Sequence, residues 1–273
     1  MPKLIELLKV IFLGIVEGVT EWLPIISTGH MLLVDAFIQM DASDAFKEMF
    51  FYVIQLGAIL AVVVLFWRKM MPLFRTSEGR LAVRKETIST WCQVIVACIP
   101  GGIAAILFDD WIDAHLHTPL IIAIALIVYG IAFLLIERPG RKVKIATLED
   151  MDYRTALAIG LFQVLSIIPG TSRSGATIVG ALLIGVSRVA AAEFTFFLAV
   201  PVMFGMSALK IVKFGLDFTV PELYTMLLGM AVAFFVSLLV IRFLMSYIKK
   251  HDFKLFGWYR IALGIIVILW SIL

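Results

Sequence analysis

Two acidic side chains stand close together near the start of a strongly apolar sequence. Glu17 and Glu21 are four residues apart, so on a helix both carboxylates lie on one face, one turn apart. Carboxylates this close repel each other, and a low dielectric constant strengthens the repulsion. Either one of them holds a proton, or a divalent cation lies between them, and such oxygen ligands suit Mg²⁺ or Ca²⁺. We therefore expect Glu17 and Glu21 to be catalytic residues and ligands of this cation.

The same stretch, GIVEGVTEWLPIISTGH at residues 14–30, also contains candidate nucleophiles. His30 can attack phosphorus or transfer a proton, and Ser27 is a rival nucleophile. Ser27 can equally cap a helix or stabilise a turn. Thr28 is a candidate for binding a phosphate oxygen. The chemistry expected of this segment is attack on an electrophilic centre next to carboxylates.

A second polar motif, PGTSRSGAT at residues 169–177, interrupts another apolar segment. Arg173 has no acidic residue within nine positions on either side, and its planar guanidinium matches phosphate oxygens. The alternative is that it caps a neighbouring helix. The residues expected to bind phosphate beside it are Gly170, Thr171, Ser172, Ser174 and Gly175. They precede a helix predicted over 176–186, and a helix N-terminus with hydroxyls and an arginine can hold a phosphate.

The composition indicates a protein whose solvent is the lipid bilayer. Of 273 residues, 62% are hydrophobic and 16% are charged, and the mean hydropathy is +1.04. Soluble domains are less apolar and carry more charge. The net charge is +3 without a basic run interleaved with aromatic residues, so no nucleic-acid partner is expected. Spans of about 20 apolar residues are predicted near 50–67, 88–108, 118–136, 190–212, 222–245 and 257–273.

Two further apolar segments, 4–38 and 155–186, are each broken in the middle by one of the polar motifs. Irregular backbone cannot face lipid, because its amide and carbonyl groups would lack hydrogen-bond partners. We therefore predict that both segments are re-entrant helix–loop–helix hairpins. The predicted fold class is an all-α polytopic membrane protein with six transmembrane helices and two re-entrant hairpins.

The loops indicate an orientation in the membrane. Lysine and arginine concentrate in the loops 68–85, 137–154 and 246–256, which places these loops in the cytoplasm, whereas the acidic loop 109–117 lies outside. The assignments alternate only if each hairpin enters and leaves on the same side. The first hairpin then opens outside, the second opens inside, and both termini lie outside.

Three short patterns recur along the chain and predict an inverted-topology repeat. The pairs, at offsets of 146, 145 and 145, are Gly14-x-x-Glu17 with Gly160-x-x-Gln163, Pro24-x-x-Ser27 with Pro169-x-x-Ser172, and Glu48-x-x-Phe51 with Glu193-x-x-Phe196. The single membrane domain 1–273 would comprise one half at 1–144 and an inverted half at 155–273. Each half contains one hairpin and three spans. Repeats of this kind have their site where the broken helices meet.

Two function classes fit these residues. Carboxylates with a cation and a histidine, acting together with an arginine and helix-end amides, are the components of phosphoryl-transfer hydrolysis. Inverted repeats with broken helices also characterise secondary transporters and lipid flippases. The combination of His30 and Arg173 with two acids favours hydrolysis, since simple transport does not need it.

GIVEGVTEWLP with STGHM, and PGTSRSGAT, resemble the two signature motifs of the undecaprenyl-diphosphate phosphatases, the bacitracin-resistance (BacA) family. The likeness extends over essentially the whole chain, including VIQLGAILAVVVLFW and EFTFFLAVPVM. It implies a multi-pass enzyme of the bacterial inner membrane with a site opening to the outer face. It implies that a divalent cation assists removal of one phosphate from undecaprenyl diphosphate, recycling the lipid carrier for peptidoglycan synthesis. The expected partners are this polyprenyl diphosphate and membrane lipid, and a homodimer stays open.

Carried over by position, Glu17 and Glu21 match the family's acidic pair, His30 its histidine and Ser27 its first-motif serine. Arg173 matches the arginine of the second motif. One departure is Ile26, where the family usually has a second serine. If that serine binds phosphate, the site is altered here. If Ser27 is the working serine, Ile26 only repacks the hairpin, and the sequence leaves both alternatives open.

Overall fold

A computed structural model describes residues 4–75, 80–116, 118–138, 140–215 and 218–272, apart from the side chains of Thr28, Leu32, Asp109, Asp110, Asp113 and Ile272. Helices dominate the described residues. In chain order they are α1 (Leu4–Thr20), α2 (Ser27–Ile38), α3 (Asp44–Met70), α4 (Lys85–Leu116), α5 (Pro119–Ile136), α6 (Tyr153–Val164), α7 (Arg173–Ile184), α8 (Arg188–Phe214), α9 (Val220–Ile248) and α10 (Lys254–Ile272). A short 3₁₀ turn, Leu165–Ile167, follows α6.

The six predicted spans are confirmed as helices long and apolar enough to cross a membrane. Within the described residues they are α3, the Lys85–Phe108 part of α4, α5, α8, α9 and the Lys254–Ser271 part of α10. Most run a few residues beyond the apolar windows, because polar residues at helix ends continue the backbone hydrogen bonding. The chain is therefore a multi-pass membrane protein.

Two connections differ from the prediction. The segment 109–117 was predicted as a loop, but α4 continues through Leu116, and position 117 lies outside the described residues. The loop 68–85 contains a small antiparallel hairpin that the all-α prediction lacked. Its strands, β1 (Leu73–Arg75) and β2 (Leu81–Val83), pair with Leu73 opposite Val83.

Both interrupted segments form two helices joined by a break, as predicted. In the first, α1 and α2 flank residues 21–26, and in the second, α6 and α7 flank residues 165–172. One boundary was wrong, because the second helix of the later segment begins at Arg173 rather than at 176. The Ser172 side chain accepts a hydrogen bond from the Gly175 N–H and caps the helix there. The re-entrant course of the two segments stays a prediction.

The chain divides into two compact units. The first comprises Met1–Leu65 with Ala199–Leu244, and the second comprises Phe66–Leu198 with Met245–Leu273. Each unit thus combines separate parts of the sequence. The predicted repeat halves, 1–144 and 155–273, are defined by recurring sequence patterns and not by packing, and they stay a prediction.

In the first unit, close helix packing fixes the position of α1. A Cβ atom on Gly14 would lie 2.9 Å from Val232 Cβ, and one on Gly18 would lie 2.8 Å from Val236 Cβ. Glycines four residues apart let two backbones approach closely, as is common between membrane helices. The Ser237 hydroxyl also donates to the Gly18 carbonyl, at 3.5 Å. Glycine contacts with α9 therefore flank Glu17.

In the second unit, glycines also set the distances between helices. A Cβ atom on Gly130 of α5 would lie 2.7 Å from the Gly257 carbonyl oxygen of α10. One on Gly180 of α7 would lie 2.5 Å from the Phe162 ring of α6. Helix α7 is buried along most of its length, so its first turn is held firmly by these neighbours.

Candidate active site

Glu17 and Ser27 form the central contact of the first motif. Glu17, in the last turn of α1, has 0% of its surface exposed, and Ser27 begins α2 and is buried. The Ser27 Oγ–H donates to Glu17 Oε2 at 2.5 Å. This distance is typical of a strong hydrogen bond from a hydroxyl to a carboxylate. The contact joins the two helices across residues 21–26 and aims the serine proton at a group that can accept it.

Glu21 lies one turn beyond Glu17. Its backbone N–H donates to the Glu17 carbonyl at 3.0 Å, so helical hydrogen bonding continues past the end of α1. The Glu21 side chain is partly exposed, whereas the following Trp22 is 1% exposed. Glu17 is thus enclosed by the protein, whereas the Glu21 side chain is partly accessible from outside it.

His30 has a defined tautomer in its neutral form. Its Nδ1 forms a short hydrogen bond with the Ile26 carbonyl. A carbonyl can only accept, so Nδ1 carries the hydrogen and the lone pair of the neutral ring lies on Nε2. Nε2 is therefore the atom that can accept a proton or attack phosphorus. The Thr28 side chain, predicted to bind phosphate, lies outside the described part of the structure.

Ile26 contributes to the break in two ways. Its carbonyl orients His30, which any residue at this position would do. Its side chain is buried and fills the space beside Gly29, where an added Cβ would lie 3.2 Å from Ile26 Cδ1. These contacts favour the alternative in which Ile26 repacks the hairpin.

The second motif turns sharply at Gly170 before α7 begins. Gly170 has φ +91°, and a Cβ atom there would lie 2.5 Å from the Ile122 carbonyl oxygen of α5. Only glycine combines this backbone conformation with so close an approach. The next residue, Thr171, is buried and donates its N–H to the Ile168 carbonyl at 3.0 Å. The turn brings the following hydroxyls to the start of α7.

Hydroxyl groups and backbone amides gather at the first turn of α7. Ser172 Oγ accepts from the Gly175 N–H at 3.2 Å and lies 3.0 Å from Ser174 Oγ. Arg173, the first residue of the helix, is partly exposed. Ser174 and Gly175, predicted to precede the helix, lie inside its first turn, where the backbone amides give the helix end a partial positive charge. This arrangement can hold an anion such as phosphate.

Charged groups outside the spans fix the ends of the helices that carry the second motif. Asp152 caps α6, and its hydrogen bonds with Thr155 hold the pKa of this carboxyl below its ordinary value. Arg141 donates Nη1–H bonds to the carbonyls of Leu182 and Val186, at 3.0 and 2.9 Å, at the end of α7. Burial lowers the pKa of Arg141. These contacts leave α7 little freedom to shift.

One buried charged residue beside the second motif was not predicted from the sequence. Arg260 of α10 has 0% of its surface exposed, and its Nη2 atom would lie 2.5 Å from a Cβ atom on Gly175. The sequence contained a signal for Arg260, because an ionisable residue inside a predicted span is by default a candidate for function.

Gln163, the counterpart of Glu17 in the predicted repeat, is also buried. It is 4% exposed, and within the described residues its Oε1 has no hydrogen-bond partner.

The acidic pair suits a divalent cation that also binds substrate oxygens. Among the residues that the structure describes, no group of three or more histidine, cysteine, aspartate or glutamate side chains is placed to hold a metal ion. Glu17 and Glu21 supply two carboxylates, and that of Glu21 is partly exposed. Mg²⁺ is often bound by one or two carboxylates together with waters and phosphate oxygens, so the pair fits this kind of ion.

Comparison with known proteins identifies close relatives over nearly the whole chain. The family model described as bacitracin resistance protein BacA matches residues 10–266. A protein of Enterococcus faecalis named undecaprenyl-diphosphatase is 68% identical, with 97% of each chain covered. Relatives with the same name in Desulfitobacterium hafniense and Acetivibrio thermocellus are 58% and 55% identical; 98% of this chain is covered in both cases, and 96% and 98% of the relatives.

Replacing Ser27 with alanine tests the contact with Glu17. We expect Ser27→Ala to lower the free energy of unfolding by about 1–3 kcal/mol, because a fully buried carboxylate loses a hydrogen-bond donor. Thermal unfolding in detergent measures the change. Ser271→Ala is the matched control, since Ser271 is exposed and donates to the Ile268 carbonyl of its own helix. Equal stability of the two variants would contradict the role given to the contact.

Proposed function

Because this chain belongs to the family of the bacitracin resistance protein BacA, we propose that it is an undecaprenyl-diphosphatase. It hydrolyses undecaprenyl diphosphate to undecaprenyl phosphate and inorganic phosphate. The observation that carries the proposal is the full-length similarity to relatives with this name, at up to 68% identity. The reaction regenerates the lipid carrier for peptidoglycan synthesis and thereby confers resistance to bacitracin.

The membrane setting agrees with this substrate. Six described helices are able to span a bilayer, so a polyprenyl tail can stay in lipid while its diphosphate is hydrolysed. The other hypothesis, a secondary transporter or lipid flippase, is not favoured, because the relatives are named for hydrolysis of the diphosphate. The two polar motifs then serve chemistry rather than passage.

Ser27 is the proposed nucleophile and Glu17 its general base. The hydrogen bond from Ser27 Oγ to Glu17 Oε2 supports this assignment, since the proton already points at the carboxylate. As Oγ attacks the terminal phosphorus, its proton passes to Glu17. The bond from phosphorus to the bridging oxygen breaks, and undecaprenyl phosphate leaves.

His30 is proposed to assist the second step. Water attacks the phosphoserine, the bond between Ser27 Oγ and phosphorus breaks as Glu17 returns its proton to Oγ, and inorganic phosphate leaves. The lone pair on His30 Nε2 can accept a proton from this water, because Nδ1 is held by the Ile26 carbonyl. Direct attack by a water activated by Glu17 is the simpler alternative, and attack by His30 itself is the third.

The second motif is proposed to bind phosphate groups of the lipid diphosphate. Arg173 supplies a charged fork, and the hydroxyls of Thr171, Ser172 and Ser174 with the first amides of α7 supply further donors. Gly170 and Gly175 are included as phosphate-binding residues through their backbone, and Thr28 of the first motif is included as well. These groups would offset negative charge that spreads over the phosphate oxygens in the transition state.

Glu17 and Glu21 would hold the divalent cation, Mg²⁺ or Ca²⁺, that the family resemblance implies. When bound, such an ion neutralises charge on phosphate oxygens. Glu21 is the more accessible of the two, so it can contribute to an ion that enters with the substrate, whereas Glu17 is also engaged with Ser27.

The finer membrane arrangement is part of the proposal. Both broken segments are re-entrant hairpins of an inverted repeat in the bacterial inner membrane, and the active site opens to the outer face. Support for the repeat comes from Glu48 and Glu193, which stand at an offset of 145 residues. Each forms an ion pair with a lysine within its own unit, Glu48 with Lys210 and Glu193 with Lys69.

Phosphate release from undecaprenyl diphosphate tests the activity. Protein purified in detergent, where no gradient exists, should release phosphate until a chelator is added. Glu21→Gln should lower kcat by about 100-fold or more, since a ligand of the cation that offsets negative charge in the transition state is lost. Glu86→Gln, an exposed acid at the start of α4, is the control and should leave kcat unchanged. Inactive protein that moves the lipid across vesicle membranes would instead support transport.

Trapping the intermediate tests the nucleophile. Acid quenching during turnover, followed by mass spectrometry, should find phosphate on Ser27, because phosphoserine survives acid. Ser27→Ala should abolish this signal, and Ser271→Ala should retain it. Phosphate found on His30 after an alkaline quench, or unlabelled protein under both quenches, would replace Ser27 with histidine or with water as the nucleophile.

A further inference from the structure

Arg260 is a charged residue of a membrane-spanning helix, and its side chain is buried. It lies in α10, has 0% of its surface exposed, and is among the largest fully buried side chains of the protein. Its guanidinium carbon lies 5.7 Å from the centre of the Tyr129 ring and 5.8 Å from that of Phe133, both on α5. Aromatic faces stabilise a cation in the absence of water. Charged residues at such positions mark functional sites by default.

The same guanidinium touches the second polar motif. A Cβ atom on Gly175 would lie 2.5 Å from Arg260 Nη2 and 3.1 Å from Cζ, so any side chain at this position would have to displace the guanidinium. Gly175 belongs to the first turn of α7, and its N–H bonds the Ser172 hydroxyl at 3.2 Å. The arginine therefore supports the backbone turn that presents the hydroxyls and amides of the motif.

The position of this charge favours an anion at the motif. The start of α7 already bears the partial positive charge of a helix N-terminus and the charge of Arg173. A further cation behind the same turn raises the electrostatic energy when no anion is bound. It lowers that energy when a phosphate is bound, because interactions are strong where water is excluded. Packing alone does not need a charge, since apolar residues of similar volume often replace buried charges without loss of stability.

We propose that Arg260 is a positioning residue of the phosphate-binding motif. It holds the first turn of α7 through Gly175 and adds positive charge behind the amides of Ser174 and Gly175. Both effects strengthen binding of the phosphate groups of a lipid diphosphate. The inference rests on the proposed function, and it adds α10 and α5 to the elements on which substrate binding depends.

Arg260→Met separates binding from folding, because methionine is apolar, flexible and of similar length. We expect KM for undecaprenyl diphosphate to rise about tenfold or more, equivalent to about 1.4 kcal/mol, while kcat changes less than threefold. The thermal midpoint in detergent should stay the same or rise. Lys254→Gln removes a charge from the first turn of the same helix and should leave KM unchanged. A KM of Arg260→Met within twofold of the parent value would overturn the proposal.

Two further variants distinguish positioning from packing. Arg260→Lys keeps the charge and should recover at least half of the lost affinity, whereas a Lys variant as impaired as the Met variant would overturn the electrostatic role. Gly175→Ala displaces the guanidinium and should raise KM severalfold in the parent. In the Arg260→Met background it should change KM less than twofold. Independent, multiplicative effects of the two substitutions would show that they do not act through this contact.

A binding measurement separates failure of this inference from failure of the proposed function. Inorganic pyrophosphate should raise the thermal midpoint of the parent protein, and a tenfold higher concentration should be needed for the same shift in Arg260→Met. This readout does not require hydrolysis. A parent that is inactive but stabilised by pyrophosphate would contradict the activity alone. Equal shifts in parent and variant would contradict the role of Arg260 alone.

Discussion

A carboxylate enclosed among apolar helices is the constraint on which the first polar motif depends. An isolated buried charge costs several kcal/mol, so Glu17 requires a compensating partner. Ser27 supplies one, and the break between α1 and α2 brings it into reach. Gly14 and Gly18 keep α1 close against α9, and Glu17 between them is fully buried. In the proposed mechanism, the hydrogen bond that compensates the buried carboxylate also prepares the Ser27 hydroxyl for attack on phosphorus.

The second unit solves the opposite problem, which is the burial of positive charge. Aromatic rings of α5 and the packed turn of α7 surround Arg260, and Arg188 is neutralised by the buried Glu137 at 2.7 Å. The ion pair of Arg188 with Glu137 balances its own charge, so it does not attract a ligand. The charges at the start of α7 are of one sign, which suits a substrate that brings its own negative charge. A diphosphate is the group that the reaction of this family supplies.

Much of this fold could be predicted from hydrophobicity and loop charge, because membrane spans need long apolar runs. The two broken segments were also visible, since polar motifs within such runs need internal hydrogen-bond partners. The start of α7 was placed three residues late, because capping by Ser172 depends on local geometry that residue types do not fix. The extension of α4 through Leu116 was not predicted. The acidic residues of the segment 109–117 suggested a loop, although such residues are also compatible with a helix. The role of Arg260 depends on which helices meet, and the sequence alone does not give that.

The central proposal is that Glu17 and Ser27 act as a unit in the transfer of the terminal phosphate, because their side chains share a hydrogen bond at 2.5 Å. A double-mutant cycle on kcat/KM for phosphate release, with Glu17→Gln, Ser27→Ala and their combination, tests it most directly. Groups that act as a unit on one transition state give strongly non-additive losses. We expect the double variant to be little worse than the poorer single variant. Losses that simply multiply would mean that the two residues act independently and would contradict the proposal.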